Sequence, residues 1–111
     1  MTGLLVALGA AVGAPLRYLA GHWLDRRLHW GTLLVNLVGS AMLGALVGAA
    51  VEGHWLALLG TGFCGGLTTY SAFAVQTVQG GRRRGSAYAV MTVTGCLVTA
   101  ALGHLVASTL T

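Results

Sequence analysis

The residues of this chain with the means to do chemistry carry no formal charge. Asn36, Thr68, Thr69, Tyr70 and Ser71, with Thr92 and Thr99 as weaker members, fall within strongly apolar runs. Their N–H and O–H groups are donors of the kind that replace the water around a small anion. Tyr70 and Phe73 are three apart and share a face wherever helix continues, and their electropositive ring edges extend the set. Thr92 and Thr99, seven apart, share a face in the same way, although hydroxyls bonded back to their own helix are the common case. Nothing points to catalysis. The only acids, Asp25 and Glu52, stand at the ends of apolar runs, and no carboxylate pair, nucleophile–base pair or metal-ligand spacing accompanies them. Cys64 and Cys96 are distant in sequence and lie in apolar surroundings, so they read as free buried thiols rather than a disulfide or metal site.

The donors gather on one stretch, residues 60–73, reading GTGFCGGLTTYSAF. It is apolar enough for a bilayer, yet glycines at 60, 62, 65 and 66 precede Thr68, Thr69 and Ser71. Gly65 and Gly66 weaken a helix where hydroxyls begin to compete for its backbone partners. Inside a bilayer such an interruption persists only where protein or water satisfies the backbone. The stretch therefore predicts a helix broken near residues 65–69, with its loosened carbonyls suited to a hard cation and its hydroxyls suited to an anion. The alternative is a glycine-rich packing face. Asn36 is open to two readings as well: a hydrogen bond to a neighbouring helix, or two amide donors offered to a passing anion.

The elements that must position these groups are membrane helices. The 111 residues are 56% hydrophobic and only 7% charged. At about 20 apolar residues per crossing, four spans at residues 3–24, 31–51, 55–79 and 85–110 use nearly the whole chain as a single all-α domain, residues 1–111. Glycines and alanines line the first span and recur at Gly39, Gly44 and Gly48 of the second, giving faces for close helix approach. Trp23 and Trp30 bracket the first loop as interface anchors. Arg17 either snorkels to the interface or faces an aqueous vestibule. The net charge of +4 comes from six arginines, five of them in short loops, which marks topology rather than a nucleic-acid surface.

Three motifs then fall in a familiar order. GTGFCGGLTTYSAF resembles the third-helix motif of the CrcB/Fluc family of fluoride channels, GF-x-GG-LTTFS-x-F in its usual form. GAPLRY at residues 13–18 and GTLLVNLVGS at 31–40 resemble that family's first- and second-helix elements. The resemblance implies a four-helix plasma-membrane protein that pairs antiparallel into a dimer and lets cytoplasmic fluoride leave passively. It implies that the carbonyls of Gly65 and Thr68 hold a structural Na+ on the dimer axis, and that Asn36 donates to the pore. It also implies that Tyr70 and Phe73 stand where the family has two phenylalanines, that Thr69 and Ser71 with a fourth-helix hydroxyl continue a polar track, and that Arg17 lies near a pore mouth. Tyr70 for Phe, and Ala72 for a frequent Thr, depart from the pattern.

Two rival classes remain at this point. A small multidrug-resistance-type transporter would need a membrane-embedded carboxylate to exchange protons, and the four spans contain none. A non-transporting assembly subunit would need only the small-residue faces. Whichever holds, the loops after spans one and three carry Arg26, Arg27, Arg82, Arg83 and Arg84, while the other loop and both tails carry no Arg or Lys. Arginine-rich short loops stay cytoplasmic. A C-terminal topology reporter on this chain expressed alone should therefore read outside; equal inside and outside populations would show that the charge bias does not orient it.

Overall fold

The structure, a computed structural model, describes residues 2–24 and 30–110, with only the backbone of Ser71. Asp25, Arg26, Arg27 and His29, assigned above to the first loop, lie outside the described residues. Apolar runs dense in glycine and alanine form long helices: α1 is Thr2–Leu24, α2 is Trp30–Gly48 and α5 is Gly81–Leu110. These three are long and apolar enough to cross a membrane. Between α2 and α5 the chain forms a π-helical segment, Leu56–Cys64, which runs into one α-helical turn, α3 (Gly65–Leu67); after residues 68–70 comes α4 (Ser71–Gln79). α1 continues through Pro15, whose ring removes one backbone donor without ending the helix.

Glycines set how closely the helices approach. A β-carbon at Gly44 would collide with the Ala100 carbonyl, and one at Gly48 with that of His104. Further back, a β-carbon at Gly95 would lie 2.7 Å from Leu37 Cδ2. Contacts therefore advance together along both chains, so α2 and α5 run parallel. α1 meets the third apolar stretch in the same way: Gly9 abuts the Leu58 carbonyl, Gly13 abuts that of Phe63, and a β-carbon at Gly66 would lie 2.9 Å from Ala10 Cα. Without water to drive helices together, such backbone-to-backbone packing is what holds a membrane bundle. Leu8, Val12, Leu16, Val93, Leu97 and Leu105 face outward, as suits lipid. Leu33, Val35, Asn36, Leu67, Tyr88 and Thr92 are buried.

The element ends differ from the sequence expectation where turns are tight. α5 begins at Gly81, not Gly85, so Arg82, Arg83 and Arg84 occupy its first exposed turn rather than a loop. Gly81 makes this possible by adopting φ +76, a left-handed conformation open to glycine at little cost. Gly85 is instead a contact residue, pressed against the Thr77 carbonyl.

α2 stops three residues early, at Gly48, in a capping turn. The Val51 N–H donates to the Leu46 carbonyl and the Ala50 N–H to the Val47 carbonyl, both about the length of ordinary bonds at 2.9 and 3.0 Å. This pattern places Ala50 at the position where glycine is usual, with φ +57. A left-handed alanine costs roughly 1–2 kcal/mol. Ala50→Gly should recover part of that cost and raise the unfolding midpoint in detergent; an unchanged or lower midpoint would show that this turn is not strained.

Candidate functional site

The functional candidates converge where α3 ends. Thr68 is extended, at φ −84 and ψ 160. Its own N–H still reaches back to the Cys64 carbonyl at 2.9 Å, and its hydroxyl donates to the same oxygen at 2.8 Å. The next amide departs from helical pairing. Thr69 N–H donates to Asn36 Oδ1 at 2.8 Å, and Asn36 Nδ2 donates to the Thr69 carbonyl at 3.2 Å. One side-chain amide thus satisfies both polar groups of one peptide residue, which also fixes which end of the Asn36 amide is oxygen. Thr69 Oγ1 then accepts the Ala72 N–H at 3.2 Å and caps the start of α4.

These bonds divert donors from two carbonyls. In a regular helix Thr69 N–H would serve the Gly65 carbonyl, and Ala72 N–H would serve that of Thr68. Here they serve Asn36 and Thr69 Oγ1 instead. Gly65 lies on the exposed side, and a β-carbon there would meet nothing within 4 Å. Two neutral carbonyl oxygens short of their helical donors are hard ligands of the type that suits Na+. The glycines themselves behave differently from expectation. Gly65 and Gly66 are helical, and the chain leaves the helix two residues later, at Thr68. Gly66 is used for close approach to Ala10 rather than for unwinding.

Beside this segment lies an open, mainly apolar groove of about 750 Å³. Asn36, Thr68, Thr69, Tyr70, Phe73 and Thr92 all line it, so the structure brings these sequence candidates together. Phe73 is packed between two other rings, with centroids 6.1 Å from Tyr70 and 5.7 Å from Tyr88. Tyr70 is 80% exposed. Thr92 is only 4% exposed, and its hydroxyl has no hydrogen-bond partner. Two candidates lie elsewhere. Thr99 does not line the groove and donates to the Cys96 carbonyl of its own helix at 3.1 Å. Arg17, partly exposed on α1, does not line it either. The Ser71 side chain lies outside what is described.

A second polar chain was not read from the sequence. Gln76 Nε2 donates to Thr32 Oγ1 at 3.1 Å, and Tyr88 O–H donates to Gln76 Oε1 at 2.8 Å. It ties α2, α4 and α5 together beside Phe73. The available signal was the four-residue spacing of Tyr88, Thr92 and Cys96, which places them on one face of α5.

The family model described as CrcB-like protein, Camphor Resistance (CrcB), matches residues 4–104. The chain belongs to the CrcB family. It is similar to the Fluoride-specific ion channel FluC 2 of Rhodococcus jostii (strain RHA1), at 58% identity over 80 residues and 70% of each chain. It is 43% identical over 111 residues to the Fluoride-specific ion channel FluC of Bordetella petrii, covering 90% of this chain and 86% of that one. With the Fluoride-specific ion channel FluC 1 of Frankia casuarinae it shares 40% identity over 124 residues, 96% of each. CrcB membership and three apolar helices of spanning length make this a multi-pass membrane protein.

In this CrcB chain the Asn36 clamp has a measurable consequence. Asn36→Leu removes the two bonds that Asn36 makes to the Thr69 N–H and carbonyl, each loss costing about 1–3 kcal/mol. Asn36→Asp keeps the acceptor for Thr69 N–H but loses the donor, so its melting point should fall between wild type and Asn36→Leu. Equal stability of all three would mean the clamp contributes nothing.

Proposed function

We propose that this protein is a fluoride-selective channel through which cytoplasmic fluoride leaves the cell passively, and that the groove beside residues 68–73 is half of its pathway. The observation that carries the site is Thr92. A buried hydroxyl with no partner is costly, and Thr92 Oγ1 stands so on the groove wall. A desolvating anion would supply the missing acceptor. The relatives named as fluoride-specific ion channels supply the identity of the anion.

Fluoride is small and strongly hydrated, so several donors must replace its water together. Asn36 commits one amide hydrogen to Thr69 and keeps the second for the groove. The edges of Phe73 and Tyr70 add electropositive C–H surface. Thr69 and Ser71 continue the polar side of the route, and Arg17 raises the anion concentration near its mouth. The set lacks a formal charge, so it stabilises an anion without trapping it. An embedded carboxylate, which a proton-coupled multidrug transporter would require, is absent from the apolar runs.

In this reading, residues 56–79 form the third of four crossings, interrupted at 68–70, within one domain. An antiparallel partner covers the open groove, and the paired carbonyls of Gly65 and Thr68 from two chains hold a structural Na+. Those carbonyls fit that ion as neutral oxygens whose helical donors are diverted. The arginine bias of the loops further favours a homologous second subunit inserted in the opposite orientation over two identical, uniformly oriented chains.

The test is fluoride efflux from proteoliposomes. Thr92→Val should cut flux at least tenfold while leaving stability equal or higher, because an unmatched buried hydroxyl is replaced by an apolar isostere. Asn36→Leu should abolish flux and Phe73→Ile should sharply reduce it. Wild-type rates in all three would remove the groove from the pathway. Flux that persists unchanged in the complete absence of Na+ would remove the cation site.

A further inference from the structure

The groove holds two chemical features that fluoride passage does not use. Cys64 and Cys96 are both free thiols and both line it. Sequence distance hides their relation; helix register reveals it. A β-carbon at Gly39 would lie 3.7 Å from the Cys64 carbonyl, which sets Cys64 at the level of Gly39 on α2. On the same helix, Leu37 meets Gly95 and Gly44 meets Ala100, which sets Cys96 level with the residues just past Leu37. The two thiols therefore stand at the same depth, one on each side of the groove. Thr92 Oγ1, one turn before Cys96 and without a partner, adds a neutral oxygen beside them.

We infer that Cys64 and Cys96 form a two-coordinate site for a soft, thiophilic divalent cation. Thiolate sulfur selects soft metals, whereas the carbonyls of Gly65 and Thr68 on the adjoining turn select a hard one, so the two sites do not compete. Among the described residues no group of three His, Cys, Asp or Glu side chains could hold a metal. A tetrahedral cage is thus not on offer, and the ion must be content with two sulfurs. Charge decides between valences. Binding Hg2+ breaks two S–H bonds, forms two S–Hg bonds and releases two protons to water, with no electron transferred. The product, a bis-thiolate of a divalent ion, is neutral and can remain in apolar surroundings. A monovalent ion on the same thiolates would leave a buried negative charge, which is costly. A plug at this depth also closes the groove, a consequence that rests on the groove being the fluoride pathway.

Hg2+ is the probe. Purified protein is loaded with HgCl2, washed with excess monothiol, and read by intact mass, free-thiol count and proton release. Wild type should retain one ion per chain, lose both titratable thiols and release two protons per ion. Cys96→Ser and Cys64→Ala should each retain none after the wash, because a single S–Hg bond exchanges with the monothiol. Should Cys64→Ala fail to fold, Cys96→Ser alone carries the comparison. Two ions per chain, retention by Cys96→Ser equal to wild type, or one ion shared between two chains would each overturn the site. Fluoride efflux from the loaded wild-type protein separates the two readings: the ion retained with efflux unchanged leaves the thiol site standing and removes the groove as the pathway.

Discussion

The pairing of Asn36 with the backbone of Thr69 is the contact on which the rest depends. Peptide groups that leave a helix inside hydrocarbon must find partners in protein or water. A carboxamide is the one uncharged side chain that both donates and accepts at the geometry of a peptide. Asn36 does both, to the N–H and the carbonyl of the same residue. In doing so it fixes the level of α2 against the third apolar stretch. Gly39 completes the fit: a β-carbon there would collide with the Thr68 methyl. One asparagine and one glycine, three residues apart, therefore hold residues 68–70 outside the helix.

Packing elsewhere keeps that arrangement stiff. α1 abuts the π-helical segment and α3 through Gly9, Gly13, Gly62 and Gly66, and α2 abuts α5 through Gly44, Gly48 and Gly103. Contacts between backbones leave little freedom to slide. The π-helical register of Leu56–Cys64, whose last carbonyls are met by a Gly65 N–H reaching Gly60 and Gly62, lets this stretch turn Gly62 toward Val6 and Gly66 toward Ala10. The groove is thus bounded by helices packed backbone to backbone.

Composition made the membrane class and helical elements legible, because apolar runs of spanning length have few other uses. Asn36 was visible as a polar group in an apolar helix, but its partner was not, since thirty-three residues separate it from Thr69. The glycines misled by two residues. Gly65 and Gly66 suggested unwinding, whereas the tertiary role of Gly66 is close approach and the departure from helix follows the hydroxyls of Thr68 and Thr69. Arg82, Arg83 and Arg84 looked like loop residues because Gly80 and Gly81 read as ending the helix before them; the left-handed Gly81 instead starts α5 ahead of them. Gln76 falls one turn beyond Phe73 on the same face, but its link to Tyr88 was hidden for the opposite reason. Each is ordinary alone, and only their bond makes them a unit.

The carbonyls of Gly65 and Thr68 have lost their helical donors to Asn36 and to Thr69 Oγ1. Gly65 is exposed, its helical donor has gone to Asn36, and Tyr70 stands 80% exposed beside it. In water this would cost little. At the depth of a bilayer a carbonyl without a partner costs several kcal/mol, and lipid tails have nothing to offer it. A cation answers the electrostatic part of the demand, since neutral oxygens from a rigid turn can surround it without an added carboxylate. In the proposed antiparallel pair, a second surface would replace lipid on the open face of the groove. In the proposed assembly, cation and partner would answer one requirement, set by the same peptide that Asn36 pulls out of the helix.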